Sequence, residues 1–202
     1  MNSLIILAVI LLNLITMFSA QKKVLWLMAI LTLFGFPLLA WPLLWLQDIS
    51  WDDLMAIEYN EISYLLVMLS IGLFFGLIII LLTEIPYFDK ALSHIKNRLA
   101  NLELTNFFVV LLSIAAGVGE ELFFRGALQP FFGIYLTSLI FVAIHGYFSF
   151  RKWAVNFFGL LLFIFICFIG WMAEQYSIWH AIAAHFSYDL VLLFYYKKMQ
   201  QT

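Results

Sequence analysis

The sequence predicts an all-α protein that crosses a membrane several times. Three observations point there: hydrophobic residues make up 65% of the 202 positions, charged residues only 11%, and bilayer-length apolar runs recur along the whole chain. A soluble globular domain carries an apolar share nearer about half. Each run of roughly 18 or more apolar residues can cross about 30 Å of hydrocarbon at about 1.5 Å per residue. The single cysteine, Cys167, excludes an intrachain disulfide and a thiolate metal cluster, and its apolar setting gives it a packing role. A net charge of −2 gives no footprint for nucleic acid.

Apolar runs set against charged or turn-rich breaks place seven spans at about 3–20, 24–46, 62–82, 105–129, 133–149, 153–173 and 177–196. The first lacks a basic leader and a small-residue cleavage site, so it reads as a retained helix rather than a secretory signal. Pro37 and Pro42 imply a kink or an early end in the second. Gln47 to Asn60 is a polar, acidic connection. Between the third and fourth spans, Tyr87 to Leu102 mixes Lys90, His94, Lys96 and Arg98 with Leu92, Ile95 and Leu99, the pattern of a helix lying on a membrane surface or of a solvated loop.

Lys and Arg mark the cytoplasmic side. With the N-terminus outside and the C-terminus cytoplasmic, Lys22, Lys23, Lys90, Lys96, Arg98, Arg151, Lys152, Lys197 and Lys198 all fall together, and Arg125 alone of the ten basic residues does not. Trp153, Trp171, Tyr195 and Tyr196 near span ends read as interfacial anchors. The expected organisation is one membrane domain, 1–202, with N-terminal spans and a basic connection over 1–104 and a four-helix core over 105–196.

Ionisable side chains inside a span cost at least about 2.5–3.5 kcal/mol each on insertion scales, so they are functional candidates. They are Glu120 and Glu121 in the fourth span, His145 in the fifth, and His185 and Asp189 in the seventh. Arg125, four residues after Glu121, can form an intrahelical ion pair with it. Glu120 lies about 100° around the helix and is free to face another neighbour. Counted from the outer connections, Glu120, His145, His185 and Asp189 all sit roughly 12–18 Å deep, so they can form one site. His180, near the outer interface, and His94, in the basic connection, read as ordinary interfacial residues.

Three segments carry a resemblance. Glu120-Glu121-Leu122-Phe123-Phe124-Arg125 has two glutamates followed, after three residues, by arginine; Phe141 precedes His145; and His185 is followed by Asp189. In this order they resemble the motifs of the CAAX-type (Abi, or CPBP) intramembrane endopeptidases over about residues 105–196. The resemblance implies that Glu120 and His145 activate water for attack on a peptide carbonyl, that His185 with Asp189 stabilises the oxyanion, and that Glu121 and Arg125 support them. A buried glutamate with a histidine in reach suits general-base chemistry. Asp189 departs from the asparagine common in the family: ionised, it accepts but cannot donate.

Two alternatives keep these residues. Glu120, His145 and His185 are a possible zinc set, although His-Glu-x-x-His and Gly-x-Ser-x-Gly are both absent; metal-independent glutamate chemistry, with no cofactor, is the expectation. A non-catalytic immunity or peptide-binding protein of the same fold, or an ion carrier, would drop the hydrolysis. Gly117 and Gly119 before the acids read as places where another helix or substrate approaches the backbone. The expected partners are the lipid bilayer and a membrane-anchored protein or peptide substrate, with no nucleic acid, in a prokaryotic plasma membrane.

Overall fold

The computed structural model describes residues 20–100 and 102–200, and these are helical with no strand among them. The span expected at 3–20 lies outside the described residues apart from Ala20, and so does the side chain of His94. Helix α1 runs Ala20–Leu46, α2 is the short Trp51–Leu54, α3 is Ile62–Thr83 and α4 is Pro86–Ala100. Helix α5 starts as Asn106–Ala115 and continues through π-helical turns at Ala116–Glu120 and Leu122–Leu128. Helices α6 (Gln129–Ile144), α7 (Trp153–Gln175) and α8 (Ile178–Met199) follow. Among the described residues, four continuous stretches are long and apolar enough to span a membrane: Ala20–Leu46, Ile62–Thr83, Asn106–Ile144 and Trp153–Gln175. The protein is a multi-pass, all-helical membrane protein.

Asn106–Ile144, at 39 residues, would be roughly 58 Å long if straight, twice the hydrocarbon thickness. It folds back instead. Gly133 takes φ 71° and ψ 171°, a conformation open only to glycine without strain, just beyond Pro130. The rings of Phe124 and Phe141, seventeen positions apart, consequently meet at 5.0 Å. The two legs thus correspond to the expected spans 105–129 and 133–149. The second ends earlier than expected, at Ile144, because Gly146 turns the chain with φ 78°; His145 is its C-cap.

Local signals explain several boundaries. Thr105 N-caps α5, its Oγ1 accepting from the Phe108 amide at 3.3 Å, and Ser50 caps α2 through the Asp53 amide. The basic connection forms a helix, not a loop. Lys96 on α4 is buried and donates to the Thr83 carbonyl at the end of α3 (3.2 Å) while pairing with Asp89 at 2.5 Å, a cation at a helix C-terminus. Phe88 packs edge-on against Phe158 of α7.

Helix α8 is the hub, touching α3, α5, α7 and α4. Its contact with α3 depends on Gly72 and Gly76: a Cβ at the first would strike the Ala184 carbonyl and Ser187, and at the second Val191. Lipid supplies no hydrophobic drive between helices, so small residues four apart allow the close approach that van der Waals packing needs. Gly119 likewise admits the Thr32 carbonyl of α1, and Gly117 the backbone of Phe186 at 3.0 Å. Both are close-approach positions, as the sequence suggested.

Two expectations about burial are corrected. His180 is enclosed, at 0% exposure, rather than interfacial: its Nδ1 lies 3.0 Å from Ser177 Oγ and its ring 5.3 Å from that of Tyr176, while the neighbouring Trp179 Nε1 donates to the Met55 carbonyl at 2.9 Å. Tyr196 is buried rather than an anchor. Trp153 and Trp171 are exposed.

Substituting Gly72 by Ala forces α3 and α8 apart and should cost about 1–3 kcal/mol, read as a lower thermal midpoint in detergent. Gly35→Ala, which meets nothing within 4 Å, should instead stabilise the chain by up to about 1 kcal/mol through helix propensity.

Candidate active site

Glu120 and Glu121 sit where two π-helical turns meet on α5, and as consecutive residues they face different neighbours. π-Turns are rare and concentrate at functional positions. Glu121 faces α8. Its Oε1 lies 2.6 Å from His185 Nδ1 and its Oε2 3.0 Å from Arg125 Nε, and neither its side chain nor that of Arg125 reaches solvent to any extent. Arg125 Nη2 also donates to the Ile166 carbonyl of α7 at 3.3 Å, and its guanidinium carbon lies 5.2 Å from the centre of the Phe141 ring on α6. One carboxylate and one guanidinium therefore join four helices. The ion pair anticipated from the i, i+4 spacing is present; the second contact of Glu121, to His185, joins residues 64 positions apart and left no local signal.

Glu120 faces His145. The His145 ring stacks on Phe141 with centroids 4.2 Å apart, and its Nδ1 lies 2.7 Å from the Phe141 carbonyl. A carbonyl only accepts, so Nδ1 carries the proton, and in the neutral ring Nε2 is left as an acceptor. That Nε2 is 3.6 Å from Glu120 Oε2, beyond direct hydrogen-bond length. Two acceptors so placed suit a small donor held between them.

The same reasoning orients His185. With Nδ1 donating to Glu121, its Nε2 faces the cavity, 3.6 Å from Asp189 Oδ2. Asp189 is one turn further along α8, as the spacing predicted. Glu120, His145, His185 and Asp189 line one cavity of about 310 Å³, whose remaining walls are mainly apolar side chains of α1, α3, α4, α7 and α8. Among the described residues, no group of three or more His, Cys, Asp and Glu side chains is arranged to hold a metal ion.

Residues 102–191 match the family model described as "Type II CAAX prenyl endopeptidase Rce1-like". Over these residues, a little under half of the chain, it is similar to the CAAX-type endopeptidases. Neither the curated proteins nor the solved structures provide a match. The match spans every one of the six polar residues singled out from the sequence.

The sequence reading passed over several contributors to this cavity. Tyr147, Tyr188 and Tyr196 line it, as do Ile79 and Thr83 from α3 and Thr32 from α1. The Gly72–Gly76 spacing was the available signal for α3, since small residues four apart on an apolar helix mark a packing face. At the opposite end Gln129, also buried, donates to the Gly170 carbonyl and to Glu174, both at 2.9 Å, tying α6 to α7.

Removing one member of the Glu121–Arg125 pair leaves the other charge buried and unmatched. Glu121→Gln and Arg125→Met should each destabilise by about 3–5 kcal/mol, whereas the double substitution should lose distinctly less than the sum. Thermal unfolding of the four proteins checks this as a double-mutant cycle.

Proposed function

We propose that this chain is a glutamic-type intramembrane endopeptidase that hydrolyses a peptide bond of a membrane-tethered protein or peptide without a metal. The observation that carries this reading is the facing of Glu120 Oε2 and His145 Nε2 at 3.6 Å, with His145 Nδ1 committed to a backbone carbonyl. A water held there has its protons directed at two bases. Its oxygen attacks the carbonyl carbon of the substrate, and the proton passes to the Glu120–His145 pair. The carbonyl electron pair moves to oxygen, which His185 Nε2 stabilises as an imidazolium donor with the carboxylates of Glu121 and Asp189 as counter-charges. Collapse breaks the C–N bond, and the proton is delivered to the leaving amine. Asp189 orients His185; Glu121 and Arg125 hold it in place.

A zinc mechanism through Glu120, His145 and His185 has less support, since those side chains do not form a metal-type cluster. The membrane arrangement proposed with this chemistry has seven spans, the N-terminus outside and the C-terminus cytoplasmic, in a prokaryotic plasma membrane, with 105–196 as the catalytic core. It is supported by the basic residues, which would then gather on one side.

Purified protein should cleave members of a library of membrane-tethered peptides, and Glu120→Ala and His145→Ala should each lower kcat by about 10²–10⁴-fold. A strong zinc chelator should leave wild-type cleavage unchanged. Chelator-sensitive cleavage would move the site to metal chemistry; a wild type that cleaves nothing would point to peptide binding without hydrolysis.

A further inference from the structure

Resting on the protease reading, the cavity poses a problem of donors. The oxygen that gains charge in the tetrahedral intermediate is stabilised by hydrogen-bond donors that the protein aims at it. His185 Nδ1 is committed to Glu121 and His145 Nδ1 to Phe141. His185 Nε2 donates only when the ring is doubly protonated, and ionised carboxylates donate nothing. The backbone N–H groups of His145, Gly146 and Tyr147 are spent on the carbonyls of Phe141, Ala143 and Val142, so a neutral, permanent donor is to be sought among the hydroxyls.

Most hydroxyls in the cavity wall are placed for something else. Thr83 Oγ1 donates to the Ile80 carbonyl at 2.7 Å. Tyr188 has its ring packed between Phe75 and Phe165, at 5.8 and 5.3 Å. Tyr196 follows Asp189 by seven residues, about 10 Å along the helix. Thr32 belongs to the wall behind Glu120, with its carbonyl lodged against Gly119.

Tyr147 differs. It comes two residues after His145, past the left-handed turn at Gly146 (φ 78°), and the loop that carries it is anchored twice to α7. The Tyr147 carbonyl rests on Gly159, where any Cβ would collide with it. Asn156 then clamps the Ser149 backbone on both sides, Nδ2 donating to its carbonyl at 2.9 Å and Oδ1 accepting from its amide at 2.7 Å. A loop held this way fixes the Tyr147 side chain in the cavity with Glu120, His145, His185 and Asp189.

We propose that Tyr147 is a catalytic residue whose hydroxyl donates a hydrogen bond to the oxyanion, alongside His185 Nε2. The phenol transfers no proton; it keeps its O–H while the carbonyl electron pair shifts to oxygen and returns. An ordinary phenol loses its proton only at about pH 10, so the Tyr147 hydroxyl remains a donor throughout the neutral range.

The test uses full-length protein and a membrane-tethered fluorogenic peptide that the wild type cleaves. Tyr147→Phe should lower kcat on the order of 10²-fold with KM within about twofold. The thermal midpoint of Tyr147→Phe in detergent should stay at the wild-type value, which a merely structural lesion at Tyr147 would not allow. A Tyr147→Phe enzyme at wild-type kcat, or one whose kcat falls together with its thermal midpoint, overturns the assignment while leaving the protease reading intact. A wild type that cleaves no peptide overturns the protease reading and the assignment with it.

Discussion

Glu121 is a carboxylate without access to solvent in a chain that is otherwise mostly hydrocarbon, and its charge has to be matched inside the protein or it would not persist there. Two partners match it, Arg125 from the same helix and His185 from α8. Because Arg125 also reaches the Ile166 carbonyl and the face of Phe141, satisfying one buried charge fixes the relative placement of α5, α6, α7 and α8. Moving any one helix by a few tenths of an ångström would lengthen contacts whose energies rise as solvent is excluded. The neighbouring Glu120 inherits that placement. It is held opposite His145 without itself being tied up in a structural pair, which leaves its carboxylate available for chemistry.

The division between the two adjacent glutamates depends on the backbone as well as on charge. Consecutive helical residues point about 100° apart, so one can face α8 while the other faces the cavity. The flanking π-helical turns, Ala116–Glu120 and Leu122–Leu128, widen the helix just where the acids sit. Gly117 and Gly119 remove side chains that would hold α8 and α1 away from it. Site geometry and close helix packing are thus the same constraint.

The helices were legible in the sequence because long apolar runs carry their own signal, and the reversal between α5 and α6 was legible because Gln129, Pro130 and Gly133 interrupt one. The matched depths of Glu120, His145, His185 and Asp189 followed from counting along those helices. What was not legible depends on which helix lies alongside which. His180 and Tyr196 sit near helix ends, where one-dimensional reading makes them interfacial; only the helices packed around α8 and the cavity wall make them buried. The Glu121–His185 contact joins residues far apart in sequence, and nothing local to either distinguishes a structural glutamate from a catalytic one. Tyr147 was hidden for a similar reason: it lies past the end of α6, and its entry into the cavity depends on Gly146 and on the anchoring of the loop to α7.

The family match begins at residue 102, but the cavity does not. Thr32 comes from α1, Ile79 and Thr83 from α3, and Leu92 from α4, so a wall of the enclosure lies in the half of the chain that carries none of the motif residues. Helix α3 is also the element against which α8 packs most closely, through Gly72 and Gly76 opposite the Ala184 carbonyl, Ser187 and Val191. Those positions bracket His185 and Asp189. A polar cluster of this kind works only where water is excluded from all but the reacting position, and that exclusion requires the N-terminal helices to be in place. Residues 102–191 alone would retain every polar group singled out for the reaction and yet lack the surface that makes those groups a site.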